Sequence, residues 1–241
     1  MDPRDNILEL HNVTKRFSGL MANENISFDV KRGEIVGIVG PNGAGKTTLF
    51  NMISGALPVT SGKIIFNGED ITKRKAYTIS QKGIGRTFQI PQSLNDLTVS
   101  ENALVGALSQ YKTVDQAQGY ADEMLELCGL LPFRDMHAFS LNVTQKKRLE
   151  ICRAMASKPS LLLLDETMAG LSSEGRAEAI ELIKKINASG ITIIMIEHIM
   201  QVVMSISKRV VVLNSGKVLT CGTPAEVTSN QEVINAYLGG S

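Results

Sequence analysis

The stretch 34–48, EIVGIVGPNGAGKTT, constrains this chain more than any other. It opens as a short, β-branched apolar run over 35–39, which reads as a buried strand. It then breaks into Gly40-Pro41-Asn42-Gly43-Ala44-Gly45-Lys46-Thr47, filling every fixed position of G-x-x-x-x-G-K-[ST]. Thr48, Leu49, Phe50, Met52 and Ile53 continue as a helix. Strand, glycine loop and helix in that order predict a phosphate-binding loop in an α/β fold. Backbone N–H groups can wrap a polyphosphate only where no side chain intervenes, which accounts for Gly40, Gly43 and Gly45. The helix that follows aims its positive end at the same phosphates. Lys46 adds a full charge near the β- and γ-phosphates, and the Thr47 hydroxyl can ligate Mg²⁺.

A second signal is SLLLLDE, residues 160–166. An apolar strand ending in an acid is the usual companion of a phosphate loop, so Asp165 is expected to hold Mg²⁺. Glu166 follows at once, placed to orient and polarise an attacking water. His198 lies just past another apolar strand, 191–196, and strand C-terminal ends in α/β domains converge on the ligand crevice. Gln89, at the end of a short strand read over 83–90, is expected to sense the metal and the water in the same way. His11 and His137 lack any such context.

The 241 residues suffice for one large core, with a formal net charge of +1 and no basic tract to suggest nucleic acid. Cys128, Cys152 and Cys221 are odd in number and show no C-x-x-C spacing, which fits a reducing cytosol. The first residues carry no apolar targeting segment, and the longest apolar runs are too short to cross a bilayer. The expectation is a soluble protein docked on the inner face of a membrane through a partner.

Strands are expected at 7–13 and 26–30 around a turn at Ser18-Gly19, forming an antiparallel layer with 63–66. Thr98-Val99-Ser100-Glu101 is a capping box that opens a helix through Leu108, and helical periodicity recurs at 119–131 and 145–156. The segment from about 90 to 158 therefore reads as a helical insertion within one domain that spans 1–241. Residues 173–188 form an amphipathic helix, 210–213 and 217–219 a hairpin about Asn214-Ser215-Gly216, and Thr223-Pro224-Ala225-Glu226 starts a short helix.

The ordered set of Gly40 to Thr47, Gln89, a helical insertion, the strand ending in Asp165-Glu166, and His198 resembles the ATP-binding subunit of an ABC transporter. KRFSGLMANENISFDV, GPNGAGKTTLFNMISG, GIGRTFQIPQSLNDLTVSEN and AYLGG resemble the LivG type found in branched-chain amino acid importers. The lipopolysaccharide-export ATPase is a close alternative. The resemblance implies a P-loop NTPase fold with a mixed central sheet, an antiparallel β layer and a helical subdomain. It implies an ATPase using ATP and Mg²⁺, with Phe17 stacking on adenine and the loop at Gly170-Leu171-Ser172-Ser173 meeting a second ATP-binding subunit. That second subunit is either an identical copy or a LivF-like one. The resemblance also implies that the helical insertion receives an integral membrane permease, and that this chain makes no contact with the transported substrate.

One stretch departs from the family. Where it carries L-S-G-G-Q, this chain has Leu141-Asn142-Val143-Thr144-Gln145. Asn142 and Gln145 are expected to meet the phosphates of a partner's ATP, since Asn142 keeps a donor and the helix dipole survives. A β-branched Val143 in place of glycine weakens that contribution. Thr167 also replaces the proline usual after the glutamate. Two readings follow: one competent and one degenerate site beside a different ATPase subunit, or tolerated variation in an active homodimer. A nucleotide-binding regulatory protein with weak hydrolysis is the alternative from another class.

Overall fold

The computed structural model describes residues 5–87 and 94–238. In chain order it runs β1 (Asn6–Phe17), β2 (Leu20–Lys31), β3 (Ile35–Val39), α1 (Lys46–Ile53), β4 (Ser61–Phe66), β5 (Glu69–Asp70) and α2 (Ala76–Gln81). It continues through β6 (Ile84–Arg86), α3 (Val99–Ala107), α4 (Val114–Leu127), α5 (Val143–Ala156), β7 (Leu161–Asp165) and α6 (Ser173–Ala188). It closes with β8 (Thr192–Ile196), α7 (Met200–Ile206), β9 (Arg209–Asn214), β10 (Lys217–Gly222), α8 (Pro224–Ser229) and α9 (Gln231–Leu238). These elements divide into two compact units, Met1–Ile79 with Gly190–Ser241, and Ser80–Ser189.

The first unit holds the antiparallel layer, in the order β2-β1-β4-β5. Phe17 pairs with Leu20 across the tight turn at Ser18-Gly19. Beside this layer, β3 lies between β8 and β9, parallel to both, and β10 pairs antiparallel with β9. All five residues of β3 and all five of β8 are buried, as parallel strands covered on both faces require. Arg209 of β9 grips Glu34 through Nε–Oε1 and Nη2–Oε2 bonds of 2.9 and 3.0 Å, fixing the start of β3. Val39, at the other end of β3, packs in a buried cluster with Val210 and Val212 of β9, Val203 of α7, Val227 of α8 and Val233 of α9.

The second unit pairs β6 with β7 in parallel, Arg86 facing Leu163 in register. Helices α3, α4 and α5 pack on one another. Thr98 caps α3, accepting the Glu101 N–H while the Glu101 carboxylate accepts the Thr98 N–H, as the sequence led us to expect. Among the described residues the only pairing between 94 and 158 is an isolated bridge from Thr98 to His137. All three cysteines are free; Cys128 and Cys152 are buried and Cys221 lies exposed on β10.

Several boundaries differ from the sequence reading. The helix expected at 119–131 begins instead at Val114, because the Thr113 hydroxyl accepts the Gln116 N–H, and ends at Leu127. Gly119 therefore sits inside it, and Leu131 belongs to a separate 3₁₀ turn. The helix expected from Gln145 begins at Val143, because Asn142 caps it. The strand expected over 83–90 spans Ile84–Arg86, and Gln89 lies outside the described residues.

Candidate functional site

The phosphate loop leaves β3 at Gly40 and enters α1 at Gly45. Three glycines sit at positive φ: Gly40 at 153°, Gly43 at 79° and Gly45 at 93°. Two of them are also demanded by close packing. A Cβ on Gly40 would lie 2.1 Å from the Leu213 carbonyl oxygen of β9, and one on Gly45 2.4 Å from the Ala22 carbonyl oxygen of β2. A Cβ on Gly43 would meet nothing within 4 Å, so that glycine faces open space. Pro41 and Asn42 form the turn that closes with an Ala44 N–H to Pro41 carbonyl bond of 3.2 Å, and Ala44 itself is buried.

Gly45 caps α1 in the left-handed conformation and brings no capping side chain. The N-terminus of α1 thus opens into the loop with the character of an anion site. Lys46 is 6% exposed, and its ammonium donates to the Gly40 and Pro41 carbonyls at 2.7 and 3.0 Å. Those bonds hold the charge across the loop. The Thr47 side chain is exposed and that of Thr48 half-buried.

His198 belongs to the same unit. Ile38 pairs with Ile196, so Gly40 and His198 each stand two residues beyond a paired position on adjacent parallel strands. Glu197 is buried and His198 exposed. Phe17 ends β1 and is 40% exposed. The Lys15 ammonium lies 4.9 Å from the centre of that ring and is fixed by a 2.7 Å bond to the Pro58 carbonyl.

In the second unit the carboxylates stand at the end of β7. Asp165 is 1% exposed. Its backbone N–H donates to the Thr87 hydroxyl at 3.1 Å, and its Oδ2 accepts from Arg86 Nη2 at 3.2 Å. Its Oδ1 is buried with no hydrogen-bond partner among the described residues. Burial pushes the Asp165 carboxyl above its ordinary pKa, with Arg86 pulling against it. Glu166 is half-buried and held at φ 50°, the left-handed region.

The 141–145 stretch opens α5 as a closed capping box. Asn142 Oδ1 accepts the Gln145 N–H at 2.9 Å, and Gln145 Oε1 accepts the Asn142 N–H at 3.0 Å. Val143 is 56% exposed at the first helical position. With Thr144, Arg148 and Ser172, the capping pair lines a groove of about 300 Å³. Ser172 in turn caps α6, its hydroxyl accepting the Gly175 N–H at 3.1 Å.

Sequence reasoning missed Arg86, Lys147 and Lys15. Lys147 alone left a signal, since it falls in step with Ile151 and Ala154 on the buried face of α5, where a lysine is out of place.

The ABC transporter family profile matches residues 23–169, and that of the branched-chain amino acid ATP-binding cassette transporters matches residues 217–241. The high-affinity branched-chain amino acid transport ATP-binding protein BraF of Pseudomonas aeruginosa is 38% identical, over 97% of this chain and 98% of its own. The corresponding LivG protein of Escherichia coli K12 is 37% identical over the same shares. The ADP conformation of MJ1267, an ATP-binding cassette of an ABC transporter, superposes with a TM-score of 0.90 at 31% identity, covering 97% of this chain and 99% of that one. No helix among the described residues is long and apolar enough to cross a membrane. The chain belongs to the family of ATP-binding subunits of ABC transporters.

Proposed function

We propose that this chain powers the uptake of branched-chain amino acids, binding and hydrolysing ATP beneath an integral membrane permease whose substrate it never touches. One observation carries the ATP reading: a lysine ammonium pinned across a glycine loop whose packing forbids any Cβ at Gly40 and Gly45. The amino-acid class comes from the relatives and from the C-terminal match at 217–241.

In this reading Gly40 to Thr48 cradle the phosphates, Lys46 neutralises them, and Phe17 stacks on the adenine. Glu166 orients and polarises the attacking water, with His198 and Gln89 beside the γ-phosphate. The residues fit Mg²⁺: Thr47 and Gln89 offer neutral oxygens, and Asp165 offers Oδ1, a buried acceptor that lacks a partner among the described residues. When bound, the metal neutralises charge on the transferring phosphoryl group. The chain acts as a single nucleotide-binding domain with its helical subdomain over about 90–158, peripheral on the cytoplasmic face. The test is ATP-driven leucine uptake into vesicles that hold the assembled transporter. Glu166→Gln should abolish uptake while leaving ATP bound; uptake unchanged by that substitution would sink the reading.

A second observation bears on the partner. Val143, 56% exposed at the first helical position, and Thr144 stand where the family carries two glycines, and their β-branched side chains hold the helix end off a partner's phosphate. This favours a LivF-like heterodimer over a homodimer, with one competent and one degenerate site. Equal hydrolysis at the two sites of the assembled transporter would rule that arrangement out.

A further inference from the structure

Lys147 is 6% exposed, and a lysine that deep requires a partner for its ammonium. The Lys147 ammonium donates to the backbone carbonyl of Glu166 at 3.2 Å. That carbonyl belongs to a residue in the left-handed region, which a non-glycine side chain adopts only where its surroundings enforce it. The same carbonyl accepts the Ala169 N–H at 3.3 Å, closing the turn that follows β7. The backbone that aims the Glu166 side chain is thus held from two directions, by its own turn and by another helix. Neither bond uses the carboxylate.

We infer that Lys147 is a positioning residue: by gripping the Glu166 carbonyl it holds the left-handed backbone that presents the Glu166 carboxylate to water. This rests on the reading of Glu166 given above. It also gives α5 a second task. Lys147 lies in the second turn of the helix that Asn142 opens, so any displacement of that end is delivered to the Glu166 carbonyl. The Lys147–Glu166 hydrogen bond joins the end of the helix that faces a second subunit's nucleotide to the acid that serves this chain's own nucleotide.

The test uses three substitutions in the full chain. Lys147→Met removes the donor and keeps an apolar stem. Lys147→Gln shortens the reach, and stands in if the methionine variant fails to fold. Lys147→Arg restores a buried donor. The first readout needs no turnover: hydrogen exchange across 166–170 in nucleotide-free protein. Exchange there should quicken about 10-fold in Lys147→Met and Lys147→Gln, the loss expected for one hydrogen bond, and return to the wild-type rate in Lys147→Arg. The second is ATP turnover by the assembled transporter above the Glu166→Gln baseline. It should fall about 10-fold in kcat with KM for ATP within 2-fold, and recover in Lys147→Arg. Wild-type exchange and wild-type kcat in Lys147→Met would overturn the inference alone. Turnover that survives Glu166→Gln would overturn the reading of Glu166, and the inference with it. A kcat loss that Lys147→Arg does not recover would mean packing rather than positioning, and would also overturn it.

Discussion

Arg86 and Asp165 meet through an Nη2–Oδ2 bond of 3.2 Å between neighbouring parallel strands, their side chains 8% and 1% exposed. An acid so deeply buried keeps its charge only with a cation beside it. Arg86→Gln should therefore cost about 3 kcal/mol in urea unfolding, most of it the penalty of a buried carboxylate that has lost its bonded cation while the charge of Lys147 still acts on it. The pH dependence fixes the sign. Burial already raises the Asp165 carboxyl above the ordinary 3.8, and losing Arg86 raises it further. A folded-state pKa above the unfolded one gives stability that is complete below the unfolded value and lost as pH rises through the folded one. The gap between variant and wild type should be widest at neutral and alkaline pH and narrow on acidification toward pH ~4. Adding Asp165→Asn should flatten that dependence.

The phosphate-loop glycines separate into two kinds by what their missing Cβ would strike. Gly40→Ala drives a methyl to 2.1 Å from the Leu213 carbonyl, so β3 and β9 must part and the protein should fold poorly. Gly43→Ala meets nothing within 4 Å and costs only the positive φ, about 1 kcal/mol. It should fold, melt within a few degrees of wild type, and lose ATP affinity more than about 10-fold, because the methyl stands where a phosphate must approach. Thermal melts beside nucleotide titrations would separate the two kinds.

The two β-branched side chains that open α5 can be removed. The triple variant Asn142→Ser, Val143→Gly, Thr144→Gly restores the family signature, keeps a serine–glutamine capping box and clears the helix end for a phosphate. Turnover by the purified chain should rise about 10-fold over wild type, since each donor aimed at developing phosphate charge contributes on that scale. Asn142→Ala alone should cost about 1 kcal/mol of stability through the lost cap. A triple variant no faster than wild type would show that LNVTQ is a full substitute for the signature.

Phe17 stays partly open to solvent while Lys15, anchored on the Pro58 carbonyl, sits against its ring as a fixed cation. Stacking of a base on an aromatic ring is worth roughly 1–3 kcal/mol, so Phe17→Ala should raise the Kd for ATP by about 5- to 150-fold. Phe17→Trp should hold it near wild type. The corresponding triphosphate without a base should bind both variants equally.

The phosphate loop was legible in sequence because its glycines, lysine and threonine act through local backbone geometry, which spacing encodes. The largely apolar strands β3, β7 and β8 were legible for the same reason, since every residue in each is buried. Helix starts were less so. Gly119 reads as a boundary, but the Thr113 cap upstream overrode it and carried α4 through the glycine. Asn142 reads as a signature residue, and its capping of α5 emerges only with the Gln145 side chain in view. Arg86 and Lys147 were hidden because their roles depend on what faces them across strands and helices, and a local pattern does not contain that. The two-residue strand β5 and the short helix α7 are too brief for periodicity to register.

The distribution of cysteines has a practical use. With Cys128 and Cys152 enclosed, Cys221 is the one thiol that a reagent in solution meets directly. The unmodified chain is thus ready for single-site labelling with a maleimide dye, without any engineered thiol. Burial of neighbouring atoms nonetheless pushes the Cys221 thiol above its ordinary pKa, so conjugation should proceed faster in mildly alkaline buffer. A fluorophore on β10 would ride on the strand that pairs with β9, whose Leu213 carbonyl backs Gly40, and its emission could follow nucleotide occupancy in real time.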